Sequence, residues 1–248
     1  MATLKHLKSG LRRLFNGSVL SGPEAVDHDQ QSRQKTMQEM LEGLHRHKLL
    51  VETIVDIGAS DGRWSRTARE YFPNANYLLI EAQACHSASL KKFIVEHPNS
   101  RVVLAAAGAH QGEISFDGSD PFGGQASAEL TAGAVSVPMT SVDHEILTSG
   151  FGGPYLLKLD THGYEVPILE GAEQTLQSAS SVIIECYNFR ISRECLVFYE
   201  MCEFMHGHAF RCLDIADIMY RELDGAFWQL DALFVRNDVP AFCSNRFK

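Results

Sequence analysis

Five short apolar runs punctuate the chain, at residues 51–57, 76–80, 102–107, 155–159 and 182–184. Gly58, Glu81, Asp160 and Glu185 directly follow four of them. Helical patterns stand between them. Residues 63–72 place Trp64, Ala68, Tyr71 and Phe72 at i, i+4, i+7 and i+8, and residues 86–96 also read as a helix. Runs too short for helices, alternating with amphipathic segments, predict a doubly wound, mostly parallel sheet with right-handed crossovers. Ligands of such a sheet sit outside the carboxyl ends of its strands, near the switch point. Asp56, Glu81, Ala106, Asp160 and Glu185 all fall at such ends.

The rhythm breaks in three places. Leu4, Leu7, Leu11, Leu14 and Phe15, with Lys5, Lys8, Arg12 and Arg13, predict a basic amphipathic helix over 4–15. That helix either packs on its own domain or docks on a membrane surface or a partner. A second helix is expected over 30–48, so residues 1–50 read as a helical cap on a domain spanning 51–248. Residues 117–134 hold four glycines and four alanines, which predicts a long functional loop between strands at 113–116 and 135–139. Pro138 places the second of these strands at an edge. Ile191, Cys195, Phe198, Cys202 and Met205 then step as one helix, closed near Gly207. Asp224-Gly225 between strand-like runs predicts an antiparallel hairpin closing the sheet.

Charge narrows the partners. Residues 1–50 carry 8 basic and 5 acidic side chains, and the remainder 14 and 26. So acidic a body is a poor binder of nucleic-acid backbone, which favours a small or neutral acceptor. No window approaches the roughly 18 apolar residues of a membrane span. The six cysteines form no C-x-x-C pair. They read as reduced, mostly buried thiols of a cytoplasmic protein.

The first strand runs into Asp56-Ile57-Gly58-Ala59-Ser60-Asp61-Gly62 and then a helix, a turn that admits a ligand to the backbone. Glu81 ends the second strand nineteen residues beyond Gly62. A carboxylate there accepts hydrogen bonds from two ribose hydroxyls. Turn and carboxylate together indicate an adenosine-type cofactor. The dinucleotide pattern G-x-G-x-x-G, read from Gly58, fails at Ser60 and Arg63, and no phosphate loop is present. Read from Asp56, the turn resembles the D/E-x-G-x-G-x-G loop of class I S-adenosylmethionine-dependent methyltransferases, with the middle glycine replaced by Ser60. In that frame Gly58 and Ala59 approach the cofactor's amino-acid part, and Asp56 holds the loop or meets the ammonium. Ser60 and Asp61 touch the cofactor or cap the helix. Ala106 and Ala107 line the adenine slot or pack in the sheet.

A second resemblance lies further on. Lys158-Leu159-Asp160-Thr161-His162-Gly163-Tyr164-Glu165, followed by Ile168-Leu169-Glu170-Gly171-Ala172, is similar to the signature of FkbM-type methyltransferases. Ile183-Ile184-Glu185 and Asp231-Ala232-Leu233-Phe234-Val235 resemble later strands of that family. The resemblance covers about residues 51–236. Many relatives have Glu where His162 stands. The resemblance implies a class I (Rossmann-like) fold, S-adenosylmethionine as cofactor, and methyl transfer to a hydroxyl of a sugar, glycan or natural product.

A hydroxyl nucleophile must be aligned and must lose its proton. His162 is the expected general base, with Asp160 orienting it or taking the proton itself; alternatively His162 only bonds its own loop. Lys158 shares a strand face with Asp160. It either pairs with Asp160, Glu165 or Glu185 or stabilises a developing alkoxide. Asp160, Glu185 and Asn188 could instead hold a divalent cation, which is left unassigned. Tyr164, Tyr187, Phe189 and Trp228 form a sugar-stacking wall or belong to the core. Two other classes stand beside methyl transfer: a nicotinamide-dependent oxidoreductase, and a non-catalytic cofactor-binding scaffold docking through residues 4–15.

Overall fold

The computed structural model describes residues 34–129 and 133–247. The predicted helix over 4–15 lies outside them. In chain order the elements are α1 (Met37–Arg46), β1 (Thr53–Ile57), α2 (Arg63–Tyr71), β2 (Asn76–Glu81), α3 (Ser87–Glu96), β3 (Ser100–Leu104) and β4 (Ala106–Ala107). Then come β5 (Gly112–Asp117), β6 (Gln125–Ser127), β7 (Val135–Thr140), α4 (Val142–Ser149), β8 (Tyr155–Leu159), α5 (Glu165–Glu170) and α6 (Glu173–Gln177). The chain closes with β9 (Ala179–Tyr187), α7 (Phe198–Gly207), β10 (Phe210–Tyr220) and β11 (Phe227–Arg236).

Seven strands form one sheet in the order β10-β11-β9-β8-β1-β2-β3, parallel except for β11, which runs antiparallel to both its neighbours. The order reverses between β1 and β8, and this is the switch point. Alternate residues serve opposite faces. Leu78, Val55, Leu157, Val182 and Phe234 share one row and pack beneath α4 to α7. Tyr77, Ile54, Leu156 and Val235 share the opposite face with Met40, Leu41 and Leu44 of α1 and with α2 and α3. Two charges interrupt that second face, because one row reads Leu79, Asp56, Lys158, Ile183, Leu233.

Several expectations are corrected. α1 is shorter than 30–48 and starts at a capping box, Thr36 with Glu39. It buries Met40, Leu41 and Leu44 completely. It therefore belongs to the compact unit Gln34–Lys248, rather than to a cap ending at residue 50. The run 102–107 divides: β3 stays in the large sheet, while β4 starts a second sheet, β4-β7-β5-β6. Pro138 lies inside that sheet, not at an edge. Its strand pairs with β4 only at Met139 and Thr140, so the missing N–H leaves no ladder bond open. The loop 117–134 contains the strand β6.

The helical pattern of 191–205 is real only from Phe198. Ser192 and Arg190 bond the backbone of Cys195 and hold the preceding residues in a loop. The terminal hairpin is present, but residues 221–226 form its turn, longer than Asp224-Gly225 alone. Among the described residues no helix is long and apolar enough to cross a membrane. All six cysteines are free; only Cys186 and Cys195 are buried, while Cys85 and Cys243 are exposed.

Candidate active site

A cavity of about 230 Å³ opens at the carboxyl ends of β1, β2 and β8. Its wall takes Gly58, Ala59 and Ser60 from the turn after β1, Glu81 from β2, and Ala106 and Ala107 from β4. Lys158, Asp160 and His162 line it from β8 and the residues that follow. The turn is tight. Gly58 has φ +75°, and a Cβ there would lie 2.1 Å from the carbonyl oxygen of Asp160. Only glycine lets the β1 and β8 turns touch.

Glu81 is 5 % exposed. Its two carboxylate oxygens accept from the backbone N–H groups of Ser60 and Gln83, each at 2.7 Å. Each oxygen keeps a lone pair for a hydroxyl donor. Asp56 and Asp61 are not in the wall. Asp56 accepts from the Ser65 hydroxyl at 2.6 Å and so ties α2 to β1. Burial pushes its carboxyl up to about 6, against the opposing pull of Lys158 and Ser65. Asp61 accepts from the backbone and guanidinium of Arg63 at the start of α2, whose N-cap is Gly62.

The other side of the cavity is a charged network. Lys158, with 4 % of its side chain exposed, donates to Asp160 at 2.5 Å. Burial disfavours the ammonium, but Asp160, Asp56 and Asp231 outweigh burial and hold it charged. Burial likewise opposes the Asp160 carboxylate, yet Lys158 and His162 keep its pKa below the ordinary range.

His162 sits at φ +50° and has an oxygen against each ring nitrogen. Nδ1 faces the Tyr187 hydroxyl at 2.8 Å and Glu185 Oε2 at 3.1 Å, and Nε2 faces the Phe122 carbonyl at 3.0 Å. Burial lowers its basicity, but the hydrogen bond and charge of Glu185, with Asp160, raise its pKa to about 9. The raised pKa favours the protonated ring, in which each N–H has an oxygen to face. With an oxygen against each nitrogen, the ring bonds its surroundings, as in the alternative to a general base.

Glu185 stands behind His162. It accepts from Tyr187 at 2.6 Å and from Gln229 of β11. Asp160, His162 and Glu185 each bring an oxygen or nitrogen within 4.8 Å of the others, the spacing of a metal-binding group. Lys158 pairs with Asp160 and His162 with Glu185, and the Asn188 side-chain N–H donates to the Phe227 carbonyl. Phe189 stacks on Trp228 at 5.2 Å, and Tyr187 meets Trp228 edge-on at 6.0 Å. Of the four aromatics considered, Tyr164 alone lines the cavity. Gln229, Gln83, His86 and Phe122 also belong to this region, and no local pattern marks them.

The family model described as Methyltransferase FkbM domain matches residues 56–212. The chain belongs to this family. The match begins at Asp56, covers the glycine turn and the 158–172 signature, and ends in β10. The sheet order and the family together establish the class I methyltransferase fold. No curated protein matches the chain.

Among solved structures, the chain is similar to 1,6-didemethyltoxoflavin-N1-methyltransferase of Burkholderia thailandensis, determined with 1,6-didemethyltoxoflavin and S-adenosylhomocysteine bound. The identity is 13%, the coverage 84% of this chain and 80% of that one, and the TM-score 0.46. A fibrillarin pre-rRNA processing protein of Methanococcus jannaschii is 13% identical over 75% of this chain and 66% of that one, with TM-score 0.48. A precorrin-6y C5,15-methyltransferase of Geobacter metallireducens GS-15 is 12% identical over 82% and 91%, with TM-score 0.45.

Proposed function

We propose that this protein is an S-adenosylmethionine-dependent O-methyltransferase acting on a hydroxyl of a sugar, glycan or related natural product. The observation that carries this reading is one continuous cavity. It joins the buried carboxylate of Glu81 and the glycine turn to the carboxylate of Asp160. The residues suit the cofactor: Glu81 keeps acceptor capacity for two ribose hydroxyls, and Ala106 and Ala107 leave room for a flat base. Bound there, S-adenosylmethionine supplies a methyl group on an electrophilic sulfonium.

The chain's own residues align the acceptor and manage its proton. Asp160, held anionic by Lys158, takes the proton released by the acceptor hydroxyl. A carboxylate of low pKa suffices, because a hydroxyl oxygen that is gaining a methyl group becomes strongly acidic. His162, a cation fixed by Glu185 and Tyr187, donates from Nε2 and orients the acceptor oxygen. The balanced charges of Lys158, Asp160, His162 and Glu185 leave no surplus cation to attract a phosphate, which favours a neutral hydroxylated acceptor over nucleic acid. Membership of a methyltransferase family displaces the nicotinamide alternative.

The test is turnover on a panel of sugars, glycans and hydroxylated natural products, read as a mass gain of one methyl group on oxygen. One O-methylated product supports the reading. Methylation only of nitrogen or carbon, or cofactor binding with no turnover on any acceptor, contradicts it, and the second outcome leaves the scaffold alternative.

A further inference from the structure

Three consecutive backbone carbonyls, those of residues 120–122, accept hydrogen bonds from three side chains, Gln83, His86 and His162. The Asp120 carbonyl accepts from Gln83 Nε2 at 3.2 Å. The Pro121 carbonyl accepts from the same amide at 3.1 Å and from His86 Nε2 at 2.7 Å. The Phe122 carbonyl accepts from His162 Nε2 at 3.0 Å. The Phe122 ring lies under the Arg63 guanidinium at 4.6 Å and beside His86 at 5.6 Å. Pro121, Phe122 and Gly124 line the cavity from this side. Residues 119–123 make no backbone ladder bonds, and the other hydrogen bonds the structure records there are local, from the Ser119 N–H to Asp117 and from the Phe122 N–H to Asp120. Phe122 is itself 55 % exposed, so hydrophobic burial does not keep it in place.

We infer that residues 120–122 form a strap latched over the cavity, with Gln83 and His86 as positioning residues, and that the acceptor oxygen replaces the Phe122 carbonyl at His162. The wall atoms that face the strap are hydrogen-bond donors, and three of the strap's atoms that face them are acceptors. A hydroxyl oxygen is the same kind of acceptor as the carbonyl it displaces. The donor that would orient the acceptor is thus satisfied and shielded from water until the acceptor arrives, and the same strap closes over whatever occupies the Glu81 side. His86 is 7 % exposed and makes the shortest of these bonds, which makes it the firmest latch. The glycine after the strap is constrained too. A Cβ on Gly124 would lie 2.6 Å from Gln83 Nε2 and 2.7 Å from Phe116 Cζ.

This inference rests on the proposed cofactor site for its kinetic consequence, but the latch itself is testable without a ligand. The experiment compares wild type, His86→Ala, His86→Gln and Gly124→Ala. Two quantities are read: amide hydrogen exchange over residues 118–124, and the dissociation rate of S-adenosylhomocysteine followed by tryptophan fluorescence. His86→Ala and Gly124→Ala are expected to raise exchange in that segment. Both are expected to speed dissociation about tenfold, the equivalent of one lost hydrogen bond. His86→Gln, which keeps a donor, restores both toward wild type. A merely structural His86 would lower the thermal midpoint and leave the dissociation rate unchanged. Unchanged exchange and unchanged dissociation in both variants overturn the strap. If wild type binds no S-adenosylhomocysteine, the cofactor reading fails, and exchange alone still decides the latch.

Discussion

The two sides of the cavity are built from different materials. The Glu81 side is made of backbone. The N–H groups of Gly58 and Ala59 both bond the Ile80 carbonyl, the N–H of Gly62 bonds Ala59, and Glu81 is held by two further amides. The Asp160 side is made of side chains, with Lys158, Asp160, His162, Glu185, Tyr187 and Gln229 supplied by β8, its following turn, β9 and β11. A backbone cradle recognises a shape common to every substrate of the reaction and has little to titrate. A side-chain network is charged, sensitive to pH and replaceable residue by residue. The first suits a constant cofactor and the second a variable acceptor.

That contrast predicts a graded set of effects. The largest falls on chemistry alone. Asp160→Asn removes the proposed proton acceptor and should lower turnover by roughly 10²–10⁴-fold, while cofactor affinity measured by calorimetry stays within a few-fold of wild type. Equal losses in both would mean that the two sides are not separable.

Next comes stability. Lys158→Met leaves Asp56 and Asp160 without their shared cation and should cost about 3–5 kcal/mol in denaturant unfolding. Little or no loss would show that Asp56 and Asp160 are accommodated here without the Lys158 ammonium.

The third effect is the dependence on pH. The folded His162 titrates near 9, above its unfolded value of about 6.5. Its contribution is fully present below the unfolded value and is lost as pH rises through about 9. Unfolding free energies of wild type and His162→Gln, measured from pH 6 to 10, should therefore converge by on the order of 1–3 kcal/mol across that window. Parallel curves would mean that the ring is not held as a cation.

The smallest effect lies outside the site. Thr36→Ala removes the cap of α1 and should cost about 1 kcal/mol, with no change in cofactor affinity. A loss of affinity would tie α1 to the cavity.

The same contrast explains what could be read from sequence. The glycine turn and Glu81 are contiguous or at fixed spacing, because one strand–turn–helix unit builds them. The signature around Asp160 was legible for the same reason. Gln229 lies 44 residues from Glu185, and Phe122 lies 40 from His162. Only the β9–β11 register and the fold of the 118–124 segment bring these partners together. His162 is legible as a candidate residue, but its partners Tyr187, Glu185 and Phe122 lie far along the chain, so its role is not written locally. The helix expected from residue 191 failed in a similar way. Its apolar spacing continued upstream of Phe198, but side-chain bonds from Ser192 and Arg190 to the backbone won over periodicity. The split between β3 and β4 is a tertiary event that an unbroken apolar run conceals.

The most direct test is titration calorimetry of S-adenosylmethionine into wild type and Glu81→Ala. The account predicts binding at one site in wild type, with a loss of about 1–3 kcal/mol in the variant as a buried charged hydrogen bond is broken. A folded wild-type protein that shows no binding, or a variant that binds equally well, would contradict the assignment of this cavity to the cofactor.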